Sequence, residues 1–212
     1  MKDRVIDIVK NNKRWCLLLI CLIIFIVILE NIFDAEIVTF DTTIYNVISL
    51  SKTNAVTNIL KTITQFGSAG FLILITILSF IVIKNKKVSI CIALNLVSIG
   101  ALNQILKRII QRPRPEGFRL IEETGYSFPS GHSMASMAFY GLIIYFVFKY
   151  VKNKNAKIII CTFLSLLVLL IGISRIYLGV HYVSDVIAGF VLSIAYLVVY
   201  ITIVLKLIEI KC

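Results

Sequence analysis

Six apolar stretches, each long enough to cross a bilayer and separated by short polar segments, leave this chain one broad class of fold. A hydrocarbon core of ~30 Å needs about 20 apolar residues in a helix. Inside it, every backbone N–H and C=O must find its partner within the protein. The stretches are residues 15–33, 66–83, 88–106, 132–148, 158–178 and 183–205. They leave little else in 212 residues that are 59% hydrophobic and only 16% charged, where a soluble domain carries about 25%. Mean hydropathy is +0.96. The expectation is an all-α integral membrane protein with six transmembrane helices, one domain over residues 1–212. The first stretch has a basic flank like a secretory signal. Its apolar run is long and no small-x-small site follows, so it reads as an uncleaved anchor.

Six crossings put both termini on one side. Segments 1–14, 84–87, 149–157 and 206–212 hold 14 of the 22 Lys and Arg residues, against three acids, Asp3, Asp7 and Glu209. The other side holds eight basic and eight acidic residues. The positive-inside rule makes the terminal side cytoplasmic, with the cell membrane as the expected location. In a soluble chain a net charge of +11 would suggest nucleic acid. Here orientation accounts for it, and neither a nucleic acid nor a protein partner is expected. Cys16, Cys21, Cys91 and Cys161 sit in or beside apolar runs and Cys212 is last, which suits small buried hydrophobes rather than disulfides. Residues 34–65 form the longest outer segment. Ile44, Val47, Ile48, Ile59 and Ile63 recur there at roughly helical spacing, predicting an interfacial helix that serves as a packed connector or as a gate.

The outer side then breaks its own rule. Lys107, Arg108, Arg112, Arg114 and Arg119 crowd one short segment, and Arg175 ends the fifth stretch. Snorkelling toward headgroups suits Arg108 and Arg119. The two histidines, His132 and His181, fall at the same level, and with the cations they suggest an anion site. Ser130 is a natural N-cap for the fourth helix, and helix N-termini bind phosphate. Gly131 would let an anion approach the backbone, although capping alone also explains the tetrapeptide. His181 and Asp185 are i and i+4 at the start of the sixth helix, so they share a face. A carboxylate there can take the Nδ1 proton and leave Nε2 as nucleophile or base, or the pair can be a structural hydrogen bond. Arg114 offers a planar fork for phosphate and Lys107 a point charge. The surplus Arg108, Arg112 and Arg119 could attract anionic headgroups or a diphosphate. In the third helix, Asn95, Ser98, Asn103 and Gln104 suit interhelical packing or support of the site.

Lys107-x6-Arg114-Pro115, Pro129-Ser130-Gly131-His132 and Ser174-Arg175-x5-His181-x3-Asp185 stand in this order. Together they resemble the type 2 phosphatidic acid phosphatase superfamily, which also contains the vanadium haloperoxidases. Arg112-Pro113 is a second Arg-Pro, but Arg114 has the family's spacing. The likeness covers about residues 15–205 and implies a lipid phosphatase with its site at the extracytoplasmic helix ends. By that resemblance His181 attacks phosphorus and forms a phosphohistidine, oriented by Asp185, and His132 protonates the leaving oxygen. Lys107, Arg114, Arg175, Ser130 and the Gly131 N–H cradle the phosphoryl oxygens. His132, His181 and Asp185 could hold a metal, but the three cations alongside would repel it, and no cofactor is otherwise suggested. Undecaprenyl diphosphate, phosphatidylglycerophosphate and phosphatidic acid are the substrates the resemblance suggests, with the first slightly preferred. A phosphotransferase would use the same residues. A transporter would need ionisable residues deep within several spans, and the charges here cluster at span ends.

Overall fold

The computed structural model describes residues 12–33, 37–117 and 119–207. Of the charges counted above, Lys2, Asp3, Arg4, Asp7, Lys10, Asp34, Glu36, Glu209 and Lys211 lie outside the described residues, as does Cys212. The described elements are helices: α1 (Lys13–Phe33), α2 (Ile37–Ser49), α3 (Asn54–Gln65), α4 (Ala69–Val82), α5 (Lys86–Ile110), α6 (Gly131–Tyr150), α7 (Lys154–Tyr177) and α8 (Val183–Leu207).

Five of these, α1, α5, α6, α7 and α8, are long and apolar enough to cross a membrane, and they cover five of the six expected stretches. The stretch at 66–83 differs. Helix α4 has 14 residues, about 21 Å at 1.5 Å per residue, which is short of a full crossing. Helix α3 leads into it with a bend of 46°, and the two together qualify as one broken span. The break has a local cause. The Ser68 hydroxyl accepts from the Phe71 N–H at 3.3 Å and so starts a new helix. At Gly67 a Cβ would lie 2.7 Å from Ile171 Cγ2, so the turn can lie against α7 only without a side chain. A run of apolar residues reads straight through such a break.

Residues 37–65 form two helices rather than one, and both pack on the bundle. The Thr53 N–H donates to Tyr177 Oη at 3.3 Å, and Thr57 Oγ1 lies 2.9 Å from the same oxygen. Leu60 packs with Tyr177, Leu178 and Val180, while Ile44 and Ile48 pack on Ile176, Val183 and Val186. Val47 and Ile59, from the same apolar set, stay exposed.

Helix α6 lies against α5, α7 and α8, with Leu72, Ile92, Phe139, Leu142 and Ile171 buried between helices. Lipid tails are as apolar as these side chains, so close packing rather than water exclusion holds helices together in a bilayer. Glycines supply the closeness. A Cβ on Gly172 would lie 2.4 Å from Phe190 Cζ, and one on Gly141 2.6 Å from Leu197 Cδ1. Cys21, Cys91 and Cys161 are buried free thiols, as expected, and Cys16 is half-buried.

Candidate active site

Four helix ends meet at one end of the bundle: the C-termini of α5 and α7 and the N-termini of α6 and α8. Gln111 closes α5 in the left-handed region, φ 51°, with its N–H on Lys107 O. The chain then runs extended through Pro113 and Pro115. Ser130 caps α6, its Oγ accepting from the Ser133 N–H at 3.5 Å and the Ser133 hydroxyl at 3.0 Å. Gly179, φ 72°, turns the chain from α7 toward α8, in a conformation that glycine adopts without strain.

These ends enclose a pocket of about 440 Å3 lined by Lys107, Arg108, Arg114, Glu123, Gly131, His132 and His181, with Asn103 and Gln104 at one side. Five of the eight residues singled out for the site therefore face one space. Ser130, Arg175 and Asp185 are buried and do not line it. A larger cavity, about 580 Å3, lies among α4, α5 and α6. It is lined by side chains such as Ile75, Val88, Phe139 and Phe146 and offers no charge to an anion.

His181 Nδ1 lies 3.3 Å from Asp185 Oδ2, and its Nε2 lies 3.2 Å from Arg114 Nη1. With a carboxylate on one nitrogen and a guanidinium donor on the other, the neutral ring carries its proton on Nδ1 and turns the Nε2 lone pair outward. Burial pushes the His181 imidazole down to about 4, with Arg175 and Arg114 adding to the shift and Asp185 opposing it. The ring is thus neutral at neutral pH.

The cations are held by the loop that runs from α5 to α6. Lys107 Nζ donates to the carbonyls of Tyr126 and Ser127. Arg114 gives Nε to Gly125 O at 2.9 Å, Nη2 to Thr124 O at 2.9 Å and Nη1 to Val180 O at 3.0 Å. Its fork is therefore engaged by backbone, where the residue pattern suggested a free fork. Arg175 donates to Thr64 Oγ1 at 3.0 Å and to Glu123 Oε1 at 2.5 Å. Its Nε is a buried donor with no partner among the described residues, which suits an anion-binding role. Gly131 needs its hydrogen, since a Cβ would lie 3.1 Å from Asn103 Oδ1. Asn103 ties the turn to α5 through a 3.0 Å bond from Nδ2 to Pro129 O.

Several participants carry no signature in the sequence. Glu123 bridges Arg175 and Arg114, the latter at 3.9 Å. Burial alone would raise its carboxyl, but the charge and hydrogen bond of Arg175, with Arg114, hold it below the usual carboxylate range. Ser127 donates to Asp185 Oδ2. Arg112 corrects an expectation. Instead of attracting headgroups from the surface, it is buried with Nη1 on Asp185 Oδ1 at 2.6 Å. Counting charges along a loop does not show which of them turn inward to meet a buried acid. The polar residues of α5 divide. Asn103 and Gln104 line the pocket, Ser98 pairs with Tyr196 at 2.5 Å, and the Asn95 side-chain amide is buried with no hydrogen-bond partner among the described residues. Among the described residues, no three His, Cys, Asp or Glu side chains converge as metal ligands.

The sequence pattern of the PAP2 superfamily matches residues 87–209. Phosphatidylglycerophosphatase B of Bacillus subtilis is 44% identical over 97 residues, which is 44% of this chain and 46% of that protein. The match thus covers less than half of that relative. An undecaprenyl-diphosphatase of Sulfolobus acidocaldarius is 26% identical over 192 residues, covering 84% of this chain and 85% of that one. The crystal structure of a transmembrane PAP2-type phosphatidylglycerolphosphate phosphatase from Bacillus subtilis superposes with a TM-score of 0.82 at 27% identity. That likeness covers 92% of this chain and 98% of the other.

Proposed function

The chain belongs to the PAP2 superfamily, and from that premise we propose that it is a single-domain membrane lipid phosphatase working through a phosphohistidine on His181. The observation that carries this reading is the His181 ring, neutral, backed by Asp185 and facing a pocket walled by Lys107, Arg108 and Arg114. Phosphoryl transfer asks mainly for positioning and for stabilisation of charge on the equatorial oxygens, and fixed cations lining the pocket supply both.

In the proposed reaction the Nε2 lone pair attacks phosphorus and the bond to the lipid oxygen breaks. His132 protonates that oxygen as it leaves. Water, giving its proton to His132, then attacks the phosphohistidine, and breakage of the P–N bond releases phosphate. Arg114, Arg175, Lys107, Ser130 and the Gly131 N–H hold the phosphoryl oxygens throughout. No metal is required by this scheme. Six crossings, with the α3–α4 pair as the broken one, put both termini in the cytoplasm and the pocket outside, in the cell membrane. The charge asymmetry of the segments supports that orientation.

A second cavity supports a lipid substrate. A groove of about 360 Å3 shares Asn103, Gln104, Gly131 and His132 with the pocket and continues between α4 and α5 past Ile73, Val97 and Gly100. Ile73 and Val97 are exposed on the side of the bundle. A headgroup in the pocket would thus leave its tail in apolar surroundings. A Cβ on Gly100, which lines the groove, meets nothing within 4 Å, so Gly100→Phe is the substitution to narrow it. Its turnover of a long-chain lipid phosphate is expected to fall at least about tenfold more than that of a short-chain phosphate ester. Equal losses on both substrates would remove the tail from the groove.

The names of the relatives make phosphatidylglycerophosphate and undecaprenyl diphosphate the substrates to test first, with phosphatidic acid beside them. Purified protein in detergent with EDTA is expected to release phosphate from at least one of these. Release that requires a divalent metal, or none from any lipid, would overturn the proposal.

A further inference from the structure

The acid behind His181 is held by Arg112, and Arg112 in turn by Asp41, two charged residues that the phosphoryl-transfer scheme above does not use. Asp185 is fully buried. Its Oδ2 accepts from the Tyr182 N–H at 2.9 Å and from the Ser127 hydroxyl, and lies 3.3 Å from His181 Nδ1. Its Oδ1 accepts from Arg112 Nη1 at 2.6 Å. The same Nη1 reaches Ser184 Oγ at 2.8 Å, and Nη2 donates to Asp41 Oδ2 at 2.9 Å. The guanidinium lies 4.0 Å from the centroid of the Tyr182 ring. Asp41, only 3% exposed, comes from α2, outside the stretch that matches the superfamily.

Asp41 also completes the start of α8. Asp185 reaches back to the Tyr182 N–H in the manner of a capping box, but Tyr182 has no short side-chain acceptor for the next free N–H groups. Asp41 Oδ1 takes the Ser184 N–H at 2.8 Å, and its Oδ2 takes the Ser184 hydroxyl at 2.7 Å. The result is a buried line, His181–Asp185–Arg112–Asp41, with charges that alternate after the neutral ring. A buried ion pair is a poor device for stability alone, since apolar residues of like volume often serve as well or better. Its place directly behind the histidine suits another use.

We propose that Arg112 and Asp41 are positioning residues that fix Asp185 against His181 and set the basicity of the His181 ring. This rests on the reading of His181 and Asp185 as the working pair. Arg112 offsets the field of Asp185 at the ring, and Asp41 in turn offsets Arg112. Besides Asp185 from α8, His181 is faced by Arg114 and Glu123 from the α5–α6 loop, Arg175 from α7, Lys107 from α5 and His132 from α6. None of these is altered by changes at 41 or 112, so each substitution has its own sign. Arg112→Gln uncovers the Asp185 charge and stabilises the imidazolium, raising the pH at which His181 titrates. Asp41→Asn uncovers the Arg112 charge and lowers it.

The chain has two histidines, so His181 can be followed directly by NMR of the imidazole Cε1–H in detergent, assigned with His132→Gln. Shifts of about half a pH unit or more, upward in Arg112→Gln and downward in Asp41→Asn, are expected. Arg112→Lys, which keeps the charge but not the fork, should return the midpoint toward that of the unaltered protein. Unmoved midpoints, or shifts of the same sign in both variants, would overturn the proposal even if melting temperatures fall. If Arg112→Gln does not fold, Asp41→Asn decides alone, because a midpoint that fails to drop overturns it. An unaltered protein that titrates as described but releases no phosphate would count against the phosphatase reading and not against this one.

Discussion

His181→Ala is expected to reduce lipid phosphate release by roughly four orders of magnitude or more, the largest single effect in the molecule. The reason is that nothing else in the pocket replaces it as nucleophile. Lys107 is committed to the carbonyls of Tyr126 and Ser127, and Arg114 is cationic and bound to backbone. In the proposed scheme His132 serves the leaving oxygen rather than the attacking side. Two measurements check this. One is steady-state phosphate release from the preferred lipid. The other is an acid-labile, base-stable phosphoryl label on the protein after rapid quench, present in the unaltered chain and missing from the variant. Substantial release by His181→Ala would eliminate His181 as nucleophile. A label that persists in the variant would move the covalent step to another side chain.

Arg114→Ala follows, with an expected loss of about a thousandfold in kcat/KM, the lower end of what a phosphoryl-stabilising arginine contributes. Two effects combine there. The pocket loses a fixed cation beside His181 Nε2. It also loses the ties that hold Thr124, Gly125 and Val180 in its wall. Arg114→Lys restores charge but not the planar fork, so it should recover only part of the loss. Arg112 makes a useful contrast. Residue spacing alone predicts that it matters far less than Arg114, but its buried bond to Asp185 predicts a large loss with a different signature, a moved pH profile rather than weakened phosphate handling. A loss confined to Arg112, with Arg114→Ala near normal, would exchange the two roles.

What the amino-acid order reveals about this molecule depends on the range of the interaction. The long spans are legible because apolar length is a local property, and α1, α5, α6, α7 and α8 lie where the runs lie. The interruption at Gly67 and Ser68 is not, because one hydroxyl and one missing Cβ barely alter the average hydropathy of the run. The pocket was legible through spacing. Lys107, Arg114, Gly131, His132 and His181 share one space, since each sits at a fixed offset from a helix end. Glu123, Ser127 and Asp41 follow no such offset. They reach the site from a loop without regular structure and from a helix that comes 144 residues before Asp185, so only the assembled bundle brings them in. Arg112 turns inward without a local signal, because its neighbours in the chain are exposed and its partners, Asp41 and Asp185, are far away in sequence.

The groove that opens beside Ile73 and Val97 changes what concentration means for such a protein. A substrate whose tail never leaves the hydrocarbon is found by a search in two dimensions. The quantity that saturates the pocket is then its mole fraction in the film, not its molarity in the tube. Adding inert detergent at a constant total amount of lipid should slow turnover as though substrate had been removed, while a water-soluble phosphate ester would be indifferent to the same dilution.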